Sequence, residues 1–225
     1  MKISLIHPSR GRANQAAATF RFWMSRATEH ANIQHILSLD KDDPQLQQYK
    51  NHFQVQLMAG HDVTILVNDN DCVVQATNRA IEHVKGDIVI YLSDDFQCPD
   101  WWDKHVEASY LKAGQPELWL VRVDDCLQKL HADVLTIPIM TKKLMDHLGY
   151  FWNPIYKSMF VDQDLFYTCK NNGWLYFEPD LKFPHLHYCN GKAPHDATYQ
   201  RSSANWQSGQ ETYTRRKREN FPLCK

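Results

Sequence analysis

Two adjacent carboxylates, Asp94 and Asp95, follow the run Ile88-Val89-Ile90-Tyr91-Leu92-Ser93 with no basic residue beside them. Neighbouring like charges repel, and a cation is the natural way to stabilise them. Hard oxygens of this kind suit magnesium or manganese, with substrate phosphates completing the shell. The same pair could also be a solvated acidic turn, or cap the helix near Trp101. Further along, Phe183-Pro184-His185-Leu186-His187 places two histidines at i and i+2, on one face of an extended segment. Imidazole is a good ligand for manganese or zinc, although in a chain with twelve histidines a pair of ordinary surface side chains is the alternative. In Val161-Asp162-Gln163-Asp164-Leu165, just ahead of a helical pattern, a carboxylate could act as a general base or cap the helix. Arg10 and Arg12 flank Gly11 after the first apolar run, where a guanidinium could meet a phosphate or stack on a base.

Strands and helices along the chain must hold these groups in place. Ile3 to His7 reads as a buried strand ended by the turn Pro8-Ser9-Arg10-Gly11-Arg12. Asn14 to His30 carries apolar residues at helical spacing. A second strand, Ile33 to Leu39, ends at Asp40, and Asp40 to Pro44 is an acidic loop. A third, Val63 to Val67, ends in Asn68-Asp69-Asn70-Asp71, and a helix from Val73 to Val84 follows, closed by Gly86. Ile88 to Leu92 is the fourth strand. Trp101 to Ala113 reads as a helix, Leu118 to Val123 and Val134 to Ile137 as strands, Lys142 to Leu148 and Asp164 to Asn171 as helices, and the chain from Pro179 onward as loop-rich with a basic end. Strands alternating with helices predict an α/β fold with a mainly parallel central sheet. Ligands of such sheets bind beyond the carboxyl ends of the strands, where Pro8 to Arg12, Asp40, Asn68 to Asp71 and Ser93 to Asp95 all fall.

Composition narrows the class. A chain of 225 residues, 43% of them hydrophobic, suffices for one well-buried domain. The formal net charge is -1, but from Lys192 to the end seven Lys/Arg stand against three Asp/Glu, a net of +4 that leaves about -5 on the rest. The six cysteines form no C-x-x-C pair and no zinc-type spacing. The first residues are strand-like rather than a leader, and no apolar run reaches the roughly 18 residues of a membrane helix. The expectation is a soluble cytoplasmic protein (in the host cytoplasm, if viral) with unpaired thiols. Neither G-x-x-x-x-G-K nor G-x-G-x-x-G occurs, which disfavours a P-loop enzyme and a Rossmann dehydrogenase.

In order and spacing these pieces resemble the GT-A fold glycosyltransferases, family 2 in particular, over roughly residues 3 to 199. His7-Pro8-Ser9-Arg10-Gly11-Arg12 is similar to the family's Pro-containing nucleotide-binding turn, and Asp40 to the acid that contacts the nucleoside. Gln75-Ala76-Thr77-Asn78-Arg79-Ala80, then Gly86 and the strand ending Ser93-Asp94-Asp95, resembles the family's helix, glycine, strand and D-x-D motif, with Ser93 where the first acid often stands. Val161-Asp162-Gln163-Asp164-Leu165 resembles the E-D type motif, with Val161 in place of the Glu. The resemblance implies a single GT-A domain over residues 1–200, a basic segment over 201–225, and donor contacts from Pro8, Arg10, Arg12, Asp40, Asn78 and Asp94. It implies Mn2+ or Mg2+ on Asp95 and a late histidine, His187 slightly ahead of His185, and Asp162 as catalytic base. The activity implied is inverting transfer of a hexosyl or pentosyl group from a nucleoside-diphosphate sugar, UDP favoured, to a hydroxyl. A retaining reaction stays open on this fold.

Two acceptors are expected: a hydroxylated base in DNA, as in small phage-type relatives and in keeping with Arg215-Arg216-Lys217-Arg218, or a glycan. The four-cation run could equally be the solvated end of a helix. Trp101, Trp102, Trp119, Phe151, Trp152, Tyr156 and Trp174 are candidates for a stacking platform or for the core. The alternatives are a nucleotidyltransferase or nucleotide-sugar pyrophosphorylase, which lacks here its long Gly-rich, Lys-bearing loop, and a non-enzymatic nucleic-acid-binding module. Oligomeric state stays open.

Overall fold

The computed structural model describes residues 1–127 and 132–224; Lys225, the last cation of the basic segment, lies outside the described residues. Four short apolar runs form the parallel half of one sheet: β1 (Ile3–Ser9), β2 (Ile33–Asp40), β3 (Asp62–Asn68) and β4 (Ile88–Tyr91). β5 (Leu120–Asp124), β6 (Ile139–Thr141) and β7 (Leu175–Lys182) complete it in the order β3-β2-β1-β4-β6-β5-β7. β6 runs antiparallel to both β4 and β5, while β7 is parallel to β5. The fold is the mixed α/β, mainly parallel architecture expected from the alternating pattern.

The central strands are apolar along their length because both faces of the sheet are covered. Leu5, Leu37 and Ile90 face one side, under α1 (Ala13–Ser25), α2 (Leu46–Met58) and α4 (Trp102–Lys112). Ile6, Ile36 and Val89 face the other, under α3 (Val73–Asn78), α5 (Lys142–Leu148) and α6 (Val161–Asn171). Packing reaches the acidic motif directly. The buried Trp23 ring lies 5.0 Å from that of Trp102, and its indole N–H donates to the carbonyl of Phe96, next to Asp95, at 3.0 Å. Truncating such a ring costs about 3–5 kcal/mol and would loosen that loop. Gly86 approaches β1 so closely that a Cβ would sit 2.6 Å from the Ser4 nitrogen.

Several boundaries differ from the sequence expectation. The first helix stops at Ser25, and the helix predicted over Val73 to Val84 breaks after Asn78 into a turn and a short 3-10 segment, Ile81–His83. Val134 to Ile137 is not a strand; the strand follows at β6. α2 escapes the pattern because it buries only Tyr49 and Phe53. β7 is masked by its half-exposed face and Pro179. The loop-rich expectation after Pro179 is corrected by α7 (Ala197–Ser203) and α8 (Trp206–Arg218), two polar helices. α8 packs on α6: Arg216 forms a bidentate ion pair with Asp164 at 2.8 and 3.2 Å, the two side chains 3% and 1% exposed. One of the four clustered cations is therefore internal. The platform reading is also corrected, because Trp102, Trp119, Phe151, Trp152 and Tyr156 are buried core side chains, whereas Trp101 is 63% exposed. All six cysteines are free thiols. No helix among the described residues is long and apolar enough to cross a membrane.

Candidate active site

The turn after β1 starts α1, whose first backbone N–H groups have no partner within the helix. Side chains from the following loop and α2 supply them. Asp43 accepts from Gly11 N–H, the Tyr49 hydroxyl from Arg12 N–H and Gln45 from Ala13 N–H, each at 2.8 Å. These three bonds fix the turn. Pro8 lies in β1, buried, paired in register with Ser38. Arg10 donates to Asp40 at 2.7 Å and to both oxygens of Asp42. Asp40 also accepts from the Asn70 amide at 2.9 Å, and Arg79 in turn donates to Asn70 at 3.0 Å. Arg10, Asp40 and the Asn68 to Asp71 cluster thus meet at the carboxyl ends of β1, β2 and β3.

The two acids after β4 have separate environments. Asp94 turns into the protein, its side chain 5% exposed; it accepts from His7 Nε2 at 2.9 Å and from Ser9 Oγ at 2.9 Å. His7 Nδ1 lies 3.0 Å from Nε2 of the fully buried His35, whose ring stacks on Phe53. Burial, and then the neighbouring His7, hold the His35 imidazole well below its usual range, so it stays neutral. Asp95 faces the other way. It accepts from His185 Nε2 at 3.1 Å and from the Tyr199 hydroxyl at 2.6 Å, while its Oδ1 is buried with no hydrogen-bond partner among the described residues. Burial alone would push this carboxyl up, but the hydrogen bond and charge of His185 and the bond from Tyr199 outweigh it and hold it well below the carboxylate range. A backbone bridge between Phe96 and His185 sets the register of this contact. The His187 ring is 4.8 Å from that of His185 and 4.7 Å from that of Tyr199; burial and His185 push it down to about 4. Of the two histidines, His185 touches Asp95.

Asp162 sits in the first turn of α6, after Phe160 in the left-handed region with φ 71°. Its carboxylate is half-buried and accepts from Gln163 N–H at 3.0 Å; burial chiefly, with the charge of Asp125 adding, raises its pKa. Asp164, two residues on, is committed to Arg216, Tyr156 and Asn153. The half-buried Tyr91 phenol is pushed up by burial first and then by the charges of Asp95 and Asp94. Asn78 is engaged with the loop at Phe151 and Trp152. Its Oδ1 accepts from the N–H groups of Phe151 and Trp152, and its amide donates to the Trp152 carbonyl at 2.7 Å, so it clips that loop to α3. Arg12 is likewise engaged, donating twice to Asp196 at 2.8 Å.

Sequence reasoning missed Tyr49, Asp196 and Tyr199, and named His7, Ser9 and Asn70 only as members of the turn after β1 and of the Asn68 to Asp71 cluster. His7 carried a signal, since an imidazole inside a strand buried on both faces needs a partner. Asp196 is recognisable as a helix cap, and it does accept from Thr198 and Tyr199 N–H; its reach to Arg12 is not local. Asp95 and His185 suit a divalent cation: a carboxylate and an imidazole adjoin, and one buried carboxylate oxygen has no partner. No cluster of three or more potential metal-ligating side chains occurs among the described residues. Such a cation would therefore draw its other ligands from phosphate oxygens and water, as magnesium sites commonly do.

Comparison with known proteins gives the family. No curated protein matches the sequence. Among solved structures, S. aureus TarS superposes with a TM-score of 0.65 at 11% identity, over 81% of this chain and 36% of that one. The mannosyltransferase PcManGT from Pyrobaculum calidifontis, in complex with GDP-Man and Mn2+, gives 0.64 at 12% identity over 82% and 56%. GalNAc-T7 with UDP, GalNAc and Mn2+ gives 0.64 at 14% over 82% and 44%. The chain thus spans less than two thirds of each of these proteins, and at such identities the likeness speaks for the fold. The family model described as glycosyl transferase family 2 matches residues 4–158, a span that includes the turn, Asp40 and the Asp94-Asp95 pair and ends before Asp162 and the late histidines. The chain belongs to glycosyl transferase family 2.

Proposed function

We propose that this chain transfers a glycosyl group from a nucleoside-diphosphate sugar, UDP-linked by preference, to an acceptor hydroxyl with inversion at the anomeric carbon. The observation that carries the reading is the pair of contacts beyond the strands' carboxyl ends, Arg10 on Asp40 at 2.7 Å and His185 on Asp95 at 3.1 Å. The Pro8 to Arg12 turn and Asp40 receive the nucleotide, with Arg10 already poised between Asp40 and Asp42. Asp95 and His185 hold Mn2+ or Mg2+, and His187 completes that corner of the site. The metal would neutralise the charge that builds on the departing diphosphate. Asp94, held by His7 and Ser9, fixes the turn against β4, and Asn78 fixes the loop at Trp152. Asp162 takes the proton of the acceptor hydroxyl; its burial favours this, because a carboxylate with a raised pKa is a better base. UDP, GDP-Man and UDP-GlcNAc bound to structural neighbours support a nucleotide-sugar donor.

The acceptor is a hydroxyl on a modified DNA base or on a glycan, and the exposed cations Arg215, Lys217 and Arg218 favour a polyanion. A cytoplasmic protein fits that substrate. The test is nucleotide release from a panel of hexosyl and pentosyl nucleotide sugars, with and without Mn2+, in the presence of duplex DNA bearing hydroxymethylated bases or of glycan acceptors. Metal-dependent release of a nucleoside diphosphate, stimulated by one acceptor class, is expected. Release of pyrophosphate, or no binding of any nucleotide sugar with metal present, would sink the proposal.

A further inference from the structure

The short helix α7 lies beyond the segment that the family model matches, and none of its residues was singled out by motif. Three residues at its start nonetheless touch both halves of the donor site. Asp196 takes Arg12 in a two-point ion pair, with Nε and Nη2 each 2.8 Å from a carboxylate oxygen. The same carboxylate caps α7 by accepting from Thr198 and Tyr199 N–H. Thr198 Oγ1 donates to the Arg10 carbonyl at 3.1 Å, inside the turn after β1. Tyr199 reaches the other half: its hydroxyl donates to Asp95 Oδ2 at 2.6 Å, and its ring lies under the Arg12 guanidinium at 4.4 Å. The contacts to Arg10, Arg12 and Asp95 join residues more than a hundred positions apart, and each uses a buried or half-buried polar group that would be costly to leave alone.

Resting on the reading of Asp95 as the metal carboxylate, we propose that Asp196 and Tyr199 are positioning residues of the donor site, forming a clasp that couples the nucleotide-binding turn to the metal-binding acid. The chemistry is asymmetric. Tyr199 occupies Oδ2 of Asp95 and leaves Oδ1, buried and unpartnered, as the oxygen available to a cation. A hydrogen bond to the far oxygen fixes the plane of a ligating carboxylate, and losing such support typically weakens metal binding about 10–100-fold. Asp196 performs the matching task at the turn. It balances the charge of Arg12, which is only 6% exposed, and holds the guanidinium over the Tyr199 ring. Neither side chain exchanges a proton or an electron pair with substrate; both act through Arg12 and Asp95.

The experiment measures Mn2+ binding to the whole protein in the presence of UDP, by the loss of the free-ion electron paramagnetic resonance signal, for wild type, Tyr199→Phe and Asp196→Asn. Thermal melting of each variant accompanies it. Tyr199→Phe keeps the ring and removes only the hydroxyl, so it is expected to fold and to bind Mn2+ about 10–100-fold more weakly. Asp196→Asn is expected to weaken UDP-dependent Mn2+ binding as well, since the turn and the acid are coupled. A purely structural strap would lower the melting temperature and leave Mn2+ affinity within twofold of wild type in both folded variants, and that result overturns the clasp alone. Absence of UDP-dependent Mn2+ binding by wild type overturns the clasp together with the donor-site reading beneath it.

Discussion

Replacing Arg216 by methionine leaves Asp164 as a lone charge in the core, and the geometry sets the size of the effect. Asp164 is 1% exposed and Arg216 3%, joined at 2.8 and 3.2 Å. Arg216 also donates to the Pro222 carbonyl at 2.6 Å, which ties down the chain end. Removing one member of such a pair costs about 3–5 kcal/mol, whereas an exposed pair is worth about 0–1. For a domain of this size each kcal/mol moves the melting temperature by about 2–4 °C, so Arg216→Met should melt about 6–20 °C below wild type. Arg215→Met, at an exposed position one residue away, should stay within about 0.5 kcal/mol. Adding Asp164→Asn to Arg216→Met should recover part of the loss, because no uncompensated charge then remains. Differential scanning calorimetry of the four proteins decides it. If Arg216→Met melts within about 2 °C of wild type, α8 is not docked on α6 as described, and the 201–225 segment is a separate appendage.

Asp162→Asn should lower kcat by about 10²–10⁴-fold and leave UDP affinity unchanged by calorimetry; an active Asn variant would remove Asp162 from the base role. Gly209→Ala should destabilise α8 despite alanine's higher helix propensity, since the added Cβ would lie 2.6 Å from the Met159 carbonyl oxygen. A melt at or above that of wild type would refute that close contact. Stability should also fall as pH drops from 7.5 to 5. His35 and His187 are held below their unfolded value in the native state, the latter near 4, so in that window the unfolded chain binds more protons than the folded one. Asp162, shifted up, pulls weakly the other way as pH falls. A melting temperature that is flat or rising towards pH 5, or an His35→Asn variant with an unaltered pH slope, would contradict this.

The chemistry-bearing residues were legible where local pattern and position coincide. β1, β2 and β4 announce themselves as apolar runs because both sheet faces are covered, and topology then sends Arg10, Asp40 and Asp94-Asp95 to one edge. Elements with little buried surface were not legible. α2 buries two side chains and α8 buries Gly209 and Arg216, so neither carries an apolar stripe, and each is held by contacts distant in sequence. Asn78 looked like a ligand contact because an amide on a helix beside a site can serve either purpose; only the backbone of Phe151 and Trp152 reveals which.

By itself, then, the sequence determined the parallel sheet and the edge where its acids and arginines gather, since alternation of apolar and polar residues is a local property that burial enforces strand by strand. Tertiary structure alone decided how those groups are shared out. Asp94 turns inward to His7 and Ser9 while Asp95 turns to His185 and Tyr199, and Asp164 is spent on Arg216 while Asp162 has no ion pair among the described residues. Adjacent or near-adjacent carboxylates are chemically identical along the chain. Their roles separate only when folding brings a different hydrogen-bond donor, and a different degree of dehydration, to each one.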